Sequence, residues 1–228
     1  MNLYDTLWKG LLEDIFDDFL RFFFPQADEI FDFKKEPQFL DKELEQLFST
    51  EKIQSPKYVD KLVKVFTKDG KEEWMLVHVE IQGYADKDFT RRMFTYFYRI
   101  LDKYGKPVTA IVLYTDANKN YHPDTYEYSY LGTSNTFRFN IYKIIEQDEN
   151  ELQNNKNPFA IAIRTVLLAL KKNRLDNDNL YKLKFALAKN LLQQNIKIEK
   201  INGLFDFIQL YVNFDNPQLT TKFDNEIA

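Results

Sequence analysis

The chain has 228 residues, no cysteine and a formal net charge of −4, and it is rich in aromatic residues, with 21 Phe and 14 Tyr. This length is sufficient for one substantial hydrophobic core, with or without a small helical addition. The lack of cysteine excludes disulfides and thiolate metal sites, and the negative charge argues against an avid, nonspecific binder of nucleic acid. No uncharged run is long enough to span a bilayer, and the first residues do not resemble a signal peptide. We therefore expect a cytoplasmic protein with no membrane partner.

The charges are distributed unevenly along the chain. Residues 1–54 contain 13 acidic and 6 basic residues, whereas residues 156–200 contain 10 basic and 3 acidic residues. This asymmetry is compatible with a basic face that contacts a phosphate backbone. From charge alone we favour the simpler interpretation, a solvated Lys-rich helical surface.

Two segments open the chain. Apolar residues at helical spacing predict a first helix over Leu7–Phe24, which ends before Pro25. Asp14 and Asp18 lie at the margin of its apolar stripe, although most acidic residues of this helix are expected on its solvated face. In the second segment, Phe39–Phe48, the apolar period does not distinguish a strand from a helix.

The segment Tyr58–Gly83 predicts a β-hairpin. If the loop is the three residues 68–70, with Gly70 in the left-handed conformation, counting back along the strands sets Asp60 opposite His78. Glu80 is then the diagonal neighbour of Asp60 on the same face, roughly 7–8 Å away at the backbone. A two-residue turn would separate the two carboxylates onto opposite faces, so the loop length decides whether they can converge on one divalent ion.

Downstream of the hairpin the pattern alternates between helix and strand. A helix is predicted first, followed by a buried apolar strand and then by two strands that flank residues 132–135 and extend the sheet at an edge. Beyond Pro158 the pattern is helical, and we expect residues after Asn216 to fray. The predicted elements are the helix Asp86–Lys103, the strands Pro107–Thr115, Tyr126–Tyr130 and Thr136–Ile145, and the helices Phe159–Lys172, Asn179–Gln194 and Ile198–Phe214.

Several short sequence words occur in one order along the chain: FLDKEL at Phe39–Leu44, VDKLVKV and HVEIQG in the hairpin, RMFTYFYRI at Arg92–Ile100 and GKPV at Gly105–Val108. Together they resemble the recombination-promoting nuclease and transposase-like family of the PD-(D/E)xK nuclease superfamily. The resemblance implies an α/β fold whose restriction-endonuclease-like core (helix, three strands, helix, strand) has a mixed central sheet. It assigns this core to residues 1–150 and a C-terminal helical extension, packed on or next to it, to residues 156–216. It also makes the first half of Phe39–Phe48 the opening strand, with Asp41 and Glu43 on the face of Phe39.

The same resemblance implies a metal-dependent DNA endonuclease. Asp60 and Glu80 would hold the ion, and the backbone carbonyl of Ile81 would add a ligand. Gln82 would orient the nucleophile at a position where many members of the superfamily carry Lys. Carboxylate oxygens favour a hard ion, so we expect Mg²⁺, or else Mn²⁺ or Ca²⁺.

Other residues are candidates for the surroundings of the site. Glu43 and His78 would support the metal or its water. A rim carboxylate paired with a lysine describes Glu43 equally well, and a buried, hydrogen-bonded strand histidine is the more common case for His78. Arg91 and Arg92 are candidates for contact with nucleic-acid phosphates, because a phosphate-cleaving site needs a fixed cation. Tyr96, one turn after Arg92, is best interpreted as a core aromatic residue.

Two alternatives remain open at this stage. One is a noncatalytic DNA- or protein-interaction module on the same fold, in which Gln82 marks lost activity. The other is an RNA substrate, since a phosphodiester site reads no base. The expected partner is DNA, and a homodimer is compatible with the resemblance.

Overall fold

The computed structural model describes residues 3–48, 58–80 and 86–227. The chain forms two compact units: Met1–Asp5 with Gln26–Lys143, and Thr6–Pro25 with Ile144–Ala228. This division differs from the predicted one at 1–150 and 156–216, because the N-terminal helical segment groups with the C-terminal helices. The reason is aromatic packing, since the indole of Trp8 lies 5.0 Å from the ring of Phe207.

The described part of the chain contains seven strands. They are β1 (Gln38–Phe39), β2 (Tyr58–Phe66), β3 (Glu72–Glu80), β4 (Val108–Tyr114), β5 (Thr125–Tyr130), β6 (Thr133–Arg138) and β7 (Asn140–Lys143). Five of these described strands form one sheet in the order β1-β2-β3-β4-β7. The first three strands pair antiparallel, whereas β3, β4 and β7 run parallel. The fold is therefore α/β with a mixed sheet, as predicted.

Ten α-helices accompany these strands in the same described ranges. They are α1 (Leu3–Asp14), α2 (Phe16–Phe23), α3 (Ala27–Ile30), α4 (Asp41–Phe48), α5 (Phe89–Tyr104), α6 (Glu149–Asn154), α7 (Phe159–Lys171), α8 (Asn177–Leu192), α9 (Ile198–Tyr211) and α10 (Pro217–Ile227). Helices α5, α7, α8 and α9 confirm the four helices predicted after the hairpin. We find no described helix that is both long enough and apolar enough to cross a membrane.

The predicted hairpin geometry is confirmed at its turn and in its register. The backbone N–H of Thr67 donates to the carbonyl oxygen of Lys71 at 2.9 Å, which leaves residues 68–70 as the loop. Gly70 has φ of +83°, a conformation that glycine adopts without steric cost. As a result, Asp60 pairs with His78 across the two strands.

The first predicted helix is kinked rather than straight. Its helical hydrogen bonds continue on both sides of Ile15, but this residue has φ −129° and ψ 32°, which separates α1 from α2. Ile15 is fully buried, so the apolar stripe continues through the kink. The interruption is in the backbone and not in the amphipathic pattern that predicted the helix.

The prediction of a strand over the first half of Phe39–Phe48 is wrong beyond Phe39. Leu40 still donates its N–H to the carbonyl of Leu62, but the N–H of Leu44 already bonds to the carbonyl of Leu40, which starts α4. Helical spacing lets Leu40 and Leu44 pack into the same core cluster. Asp41 and Glu43 therefore lie in the first turn of a helix, where negative charge is favourable, and not beside Phe39 on a strand.

The core of the first unit lies between the sheet and α5. Leu62 of β2, Trp74 of β3 and alternate residues of β4 share one buried cluster with the apolar side of this helix, which confirms Tyr96 as a core residue. β4 is buried on both faces, as predicted for an interior parallel strand. The main members of this cluster are Leu62, Trp74, Phe89, Met93, Tyr96, Ile100, Ala110, Val112 and Tyr114.

The two strands predicted to extend the sheet do not both do so. β5 and β6 form a separate two-stranded ribbon, and β7 alone joins the main sheet. The separation occurs at Phe139, which is buried and bonds through its N–H to the carbonyl of Asp124. The turn of the ribbon is Leu131-Gly132, one residue before the predicted turn, because Tyr130 pairs with Thr133.

The second unit is helical and is built around α7, whose residues from Phe159 to Leu168 are almost all buried. The prediction that the chain frays after Asn216 is wrong. Residues 217–227 form α10, and its Phe223 has no exposed surface. The ring of Phe223 packs among those of Tyr181, Phe205 and Phe214, which explains why this terminal segment is ordered.

Candidate active site at the carboxyl edge of the sheet

The parallel strands β3, β4 and β7 end at one edge of the sheet. Tyr58, Glu80, Tyr114 and Lys143 follow one another as direct backbone partners across four strands at this edge. At the usual spacing of about 4.8 Å between strands, the backbones of Glu80 and Lys143 are about 10 Å apart. Open α/β sheets bind ligands outside the carboxyl ends of their strands, so this edge is the first place to look for a site.

The hairpin brings the backbone of the predicted carboxylates to this edge. Asp60 pairs with His78, and Glu80, the last residue of β3, pairs with Tyr58. The side chains of Asp60, His78 and Glu80 lie outside the described residues, as do Ile81 and Gln82 entirely. The convergence of the carboxylates on a metal, with a carbonyl ligand from Ile81 and a role for Gln82, therefore stays a prediction.

A buried ion pair joins the ends of β4 and β7. Lys143 donates from Nζ to Oδ2 of Asp116 at 2.6 Å, and the ammonium also lies 5.2 Å from the ring centre of Tyr114. Oδ1 of Asp116 accepts from the N–H of Asn118, which shapes the loop after β4. This pair was not predicted from the sequence. The available signal was an acidic residue immediately after the predicted buried strand.

Asp86 organises the start of α5, which follows β3 in the chain. Its Oδ1 accepts from the N–H of Asp88 at 2.9 Å, and its Oδ2 accepts from the guanidinium of Arg92 at 2.8 Å. Its backbone N–H donates to the hydroxyl of Tyr121. Arg92 thus holds the helix entry and is mostly buried, whereas Arg91, the other predicted phosphate contact, is exposed.

An open cleft of about 550 Å³ lies beside the start of α5. Its walls come from the first turn of this helix and from the loop that follows β4, and most of the residues that line them have a polar group. His122 is exposed on this wall. The lining residues are Asp86, Lys87, Thr90, Asn120, Tyr121, His122, Pro123 and Thr125.

The acidic residues of α4 lie at the other side of the hairpin. Asp41 accepts from Nζ of Lys61 at 2.6 Å, and this lysine is 1% exposed and lies over the ring of Phe39. The expected carboxylate–lysine pair is therefore made by Asp41, while Glu43 is half-buried in the first turn of α4. Within the described residues, no three His, Asp or Glu side chains are arranged to hold a metal ion.

The acidic residues of α2 are engaged within the second unit. Nζ of Lys200 lies 2.7 Å from Oδ1 of Asp17 and 2.6 Å from Oδ2 of Asp18. Burial opposes ionisation of Asp17, but the hydrogen bonds from Lys200 and Arg21 outweigh it and lower its pKa. For Asp18 burial dominates, so its pKa is raised despite the same lysine. These contacts give Asp17 and Asp18 a structural role.

The chain was also compared with protein-family models, with curated proteins and with solved structures, and none of the three comparisons gave a match. Function is therefore inferred from the geometry of the chain itself.

Proposed function

We propose that this protein is a metal-dependent DNA endonuclease with a restriction-endonuclease-like core and an active centre at the carboxyl edge of the sheet. The observation that carries the proposal is the backbone register of the hairpin, in which Asp60 pairs with His78 and Glu80 pairs with Tyr58. This register makes positions 60 and 80 diagonal neighbours on the same face of the hairpin, as a pair of carboxylate ligands requires.

The order of elements supports the same assignment. An antiparallel hairpin, β2 and β3, is followed by α5 and then by β4, which lies parallel to β3. This is the arrangement expected for the core of the PD-(D/E)xK superfamily, with β1 as the short strand beside β2. The resemblance in sequence words and the arrangement of the strands are separate arguments that agree.

The residues fit a hard divalent ion. Asp60 and Glu80 would hold it through carboxylate oxygens, with the carbonyl of Ile81 as a further ligand, and this donor set suits Mg²⁺ or Mn²⁺. Such an ion supplies a lowered pKa for a bound water and charge stabilisation for a phosphate. Gln82 would orient the attacking water through its amide, and His78 would stand beside the carboxylates.

The phosphate backbone would pass over the cleft at the start of α5. Lys87 and His122 line this cleft, and Arg91 is exposed nearby in the first turn of the helix. Arg92 would act indirectly, because its bond to Asp86 holds the helix entry in place. The binding of a polyanion at this edge agrees with the general location of ligands in open α/β sheets.

The test is incubation of the purified protein with supercoiled plasmid in Mg²⁺, Mn²⁺ or EDTA. We expect nicking that requires metal and that is lost in Asp60→Asn and in Glu80→Gln. Glu73→Gln is the matched control, because it makes the same chemical change in the same strand at the far end of the hairpin. Undiminished cleavage by either active-centre variant would contradict the assignment of Asp60 and Glu80 as metal ligands.

Two other results have defined meanings. Binding of DNA or of a protein without cleavage in any metal would favour the noncatalytic interaction module. Cleavage of RNA but not of plasmid would retain the metal site and change the substrate, since neither the metal nor its ligands read a base.

A further inference from the structure

The ribbon of β5 and β6 is a largely exposed element of the first unit. Its two strands pair only with each other in the described part of the chain, and both are largely exposed from Glu127 to Thr136. A two-stranded ribbon is marginally stable in water unless another element supports it. Here α5 supplies that support through the rings of Phe94 and Phe97, which pack on Tyr126 and Phe137.

One face of the ribbon carries a row of tyrosines. Tyr126, Tyr128 and Tyr130 alternate with smaller residues, so they project from the same face. Tyr126 stacks on Phe94 of α5 with ring centres 5.0 Å apart and planes 15° apart. Phe94 stacks in turn on Tyr98 at 6.3 Å. The aromatic strip therefore continues from α5 along the ribbon, and its outer members are 47–64% exposed.

The turn at the tip of the ribbon contains a residue that is unusual for its backbone conformation. Leu131 and Gly132 both have positive φ, 44° and 85°, as in the two-residue turn that prefers Asn-Gly. A leucine in this conformation costs stability, and its side chain is also 87% exposed. Two unfavourable features at one residue, a positive φ and a highly exposed apolar side chain, point to a role in binding.

The charge of α5 limits the kind of partner. The helix contains four basic residues and one acidic residue, although the whole chain is negative. Arg91 precedes Phe94 by three positions and Tyr98 by seven, so it lies on the same helical face as the two stacked rings. A partner with both flat rings and negative charge matches this surface better than an apolar protein helix does.

We propose that the ribbon–helix surface, formed by Tyr98, Tyr126, Tyr128, Tyr130, Leu131 and Arg91, binds an unpaired nucleic-acid strand whose bases stack on the tyrosines. This inference rests on the proposed function and names the substrate class as DNA that contains an unpaired strand. Tyrosines two residues apart on a strand are about 6.7 Å apart. That is about twice the 3.4 Å rise per base of one strand, which leaves room for one base between successive rings. Leu131 then contacts the base at the end of the stack.

The experiment measures the fluorescence anisotropy of a labelled single strand of about 20 nucleotides, longer than the roughly 4–16 nucleotides that such sites occupy. EDTA is present so that the strand is not cut. Tyr128→Ala and Tyr130→Ala should each weaken binding by at least about 5-fold, the lower end expected for loss of one stacked base. Tyr128→Phe should retain binding because it keeps the ring.

Two further variants separate binding from folding. Ser129→Ala changes the opposite face of the ribbon and should bind like the parent protein. Leu131→Asn introduces a residue that the turn prefers, so we expect an equal or higher melting temperature together with weaker strand binding. If Leu131 had only a structural role, a change that stabilises the ribbon would not lower its affinity for the single strand.

The outcomes distinguish this inference from the nuclease proposal. Asp60→Asn should lose cleavage and keep strand binding. Tyrosine-dependent binding without any nuclease activity would retain the surface and reject the active centre. Equal binding by the parent and Tyr130→Ala would overturn the inference while leaving the nuclease proposal intact, as would no binding at all. Conversion of a dimer to a monomer by Tyr130→Ala, with strand binding unchanged, would also overturn it and assign the surface to a second copy.

Discussion

Lys143 and Asp116 form a buried ion pair between the ends of two parallel strands. Nζ and Oδ2 are 2.6 Å apart, and the side chains are 2% and 4% exposed. Lys143 ends β7, and Asp116 lies two residues after the end of β4. Lys143 and Glu80 are both backbone partners of Tyr114, on its two sides. The ion pair therefore also supports the edge at which we place the active centre.

Removal of one partner should destabilise the fold strongly. Lys143→Met leaves the Asp116 carboxylate buried without its cation, and we expect the free energy of unfolding to fall by about 3–5 kcal/mol. Urea denaturation followed by circular dichroism measures this change. Lys106→Met is the matched control, because Lys106 is 45% exposed and lies 3.5 Å from Glu72, and its loss should cost less than about 1 kcal/mol.

The double variant Asp116→Asn, Lys143→Met tests the cause. It removes both charges while an amide oxygen can still accept from the N–H of Asn118. We expect it to be more stable than Lys143→Met alone, since no unpaired charge remains buried. A double variant that is no more stable than the single one would mean that packing of the lysine chain, and not its charge, is what matters.

A second prediction concerns pH and Lys184. Its ammonium is buried, donates to the carbonyls of Gln209 and Val212, and lies 4.5 Å from the ring centres of Phe214 and Phe223. Burial lowers the pKa of Lys184 to about 8, although Asp224 acts in the opposite direction and Lys172 adds to the decrease. The ordinary lysine pKa is 10.5, so in the pH range between these values the unfolded chain binds more protons than the folded one.

Stability should therefore rise as pH increases from about 8 toward 10 at this site, and the contribution should be flat below pH 8. Urea unfolding of the parent and of Lys184→Met across this range measures it. The difference between their free energies of unfolding should change in favour of the parent as pH increases. A difference that is constant with pH would show that the pKa of Lys184 is the same in the folded and unfolded chains.

A third prediction concerns two glycines in helices. A Cβ at Gly203 in α9 would lie 2.2 Å from Oδ2 of Asp14, whereas a Cβ at Gly10 in α1 would meet nothing within 4 Å. Gly10→Ala should give the ordinary gain of about 0.5–1 kcal/mol for alanine in a helix. Gly203→Ala should lose most of this gain, because the added methyl must displace the Asp14 carboxylate, which is the exposed end of a flexible side chain.

Thermal or urea denaturation compares the two variants directly. In an Asp14→Ala background the carboxylate is absent and only the Cβ of position 14, 3.2 Å away, remains close, so Gly203→Ala should then be more favourable than in the parent chain. The carboxyl of Asp14 already has a raised pKa, owing to burial and to the nearby Glu13 and Asp206, so its displacement toward water offsets part of the cost. Equal gains from Gly10→Ala and Gly203→Ala in the parent chain would contradict the predicted contact.

The sequence by itself determined the features that depend on local pattern. Alternation along two strands predicted the pairing of Asp60 with His78 for a three-residue loop at 68–70, a loop that Gly70 suits. Helical periodicity predicted α5 and the three long C-terminal helices. These signals are local, since the period of the apolar residues and the demands of a short turn are contained within a few adjacent residues.

Only the tertiary structure decided the features that depend on distant partners. The short segment after Phe39 became a helix because Leu40 and Leu44 both reach the core. The terminal segment is helical because Phe223 packs between other helices. Lys143 pairs with Asp116 because β7 lies beside β4. The ribbon turned at Leu131 although no Asn-Gly marks that position. In each case the local pattern is weak or ambiguous, and burial against residues far along the chain supplies the energy that selects one conformation.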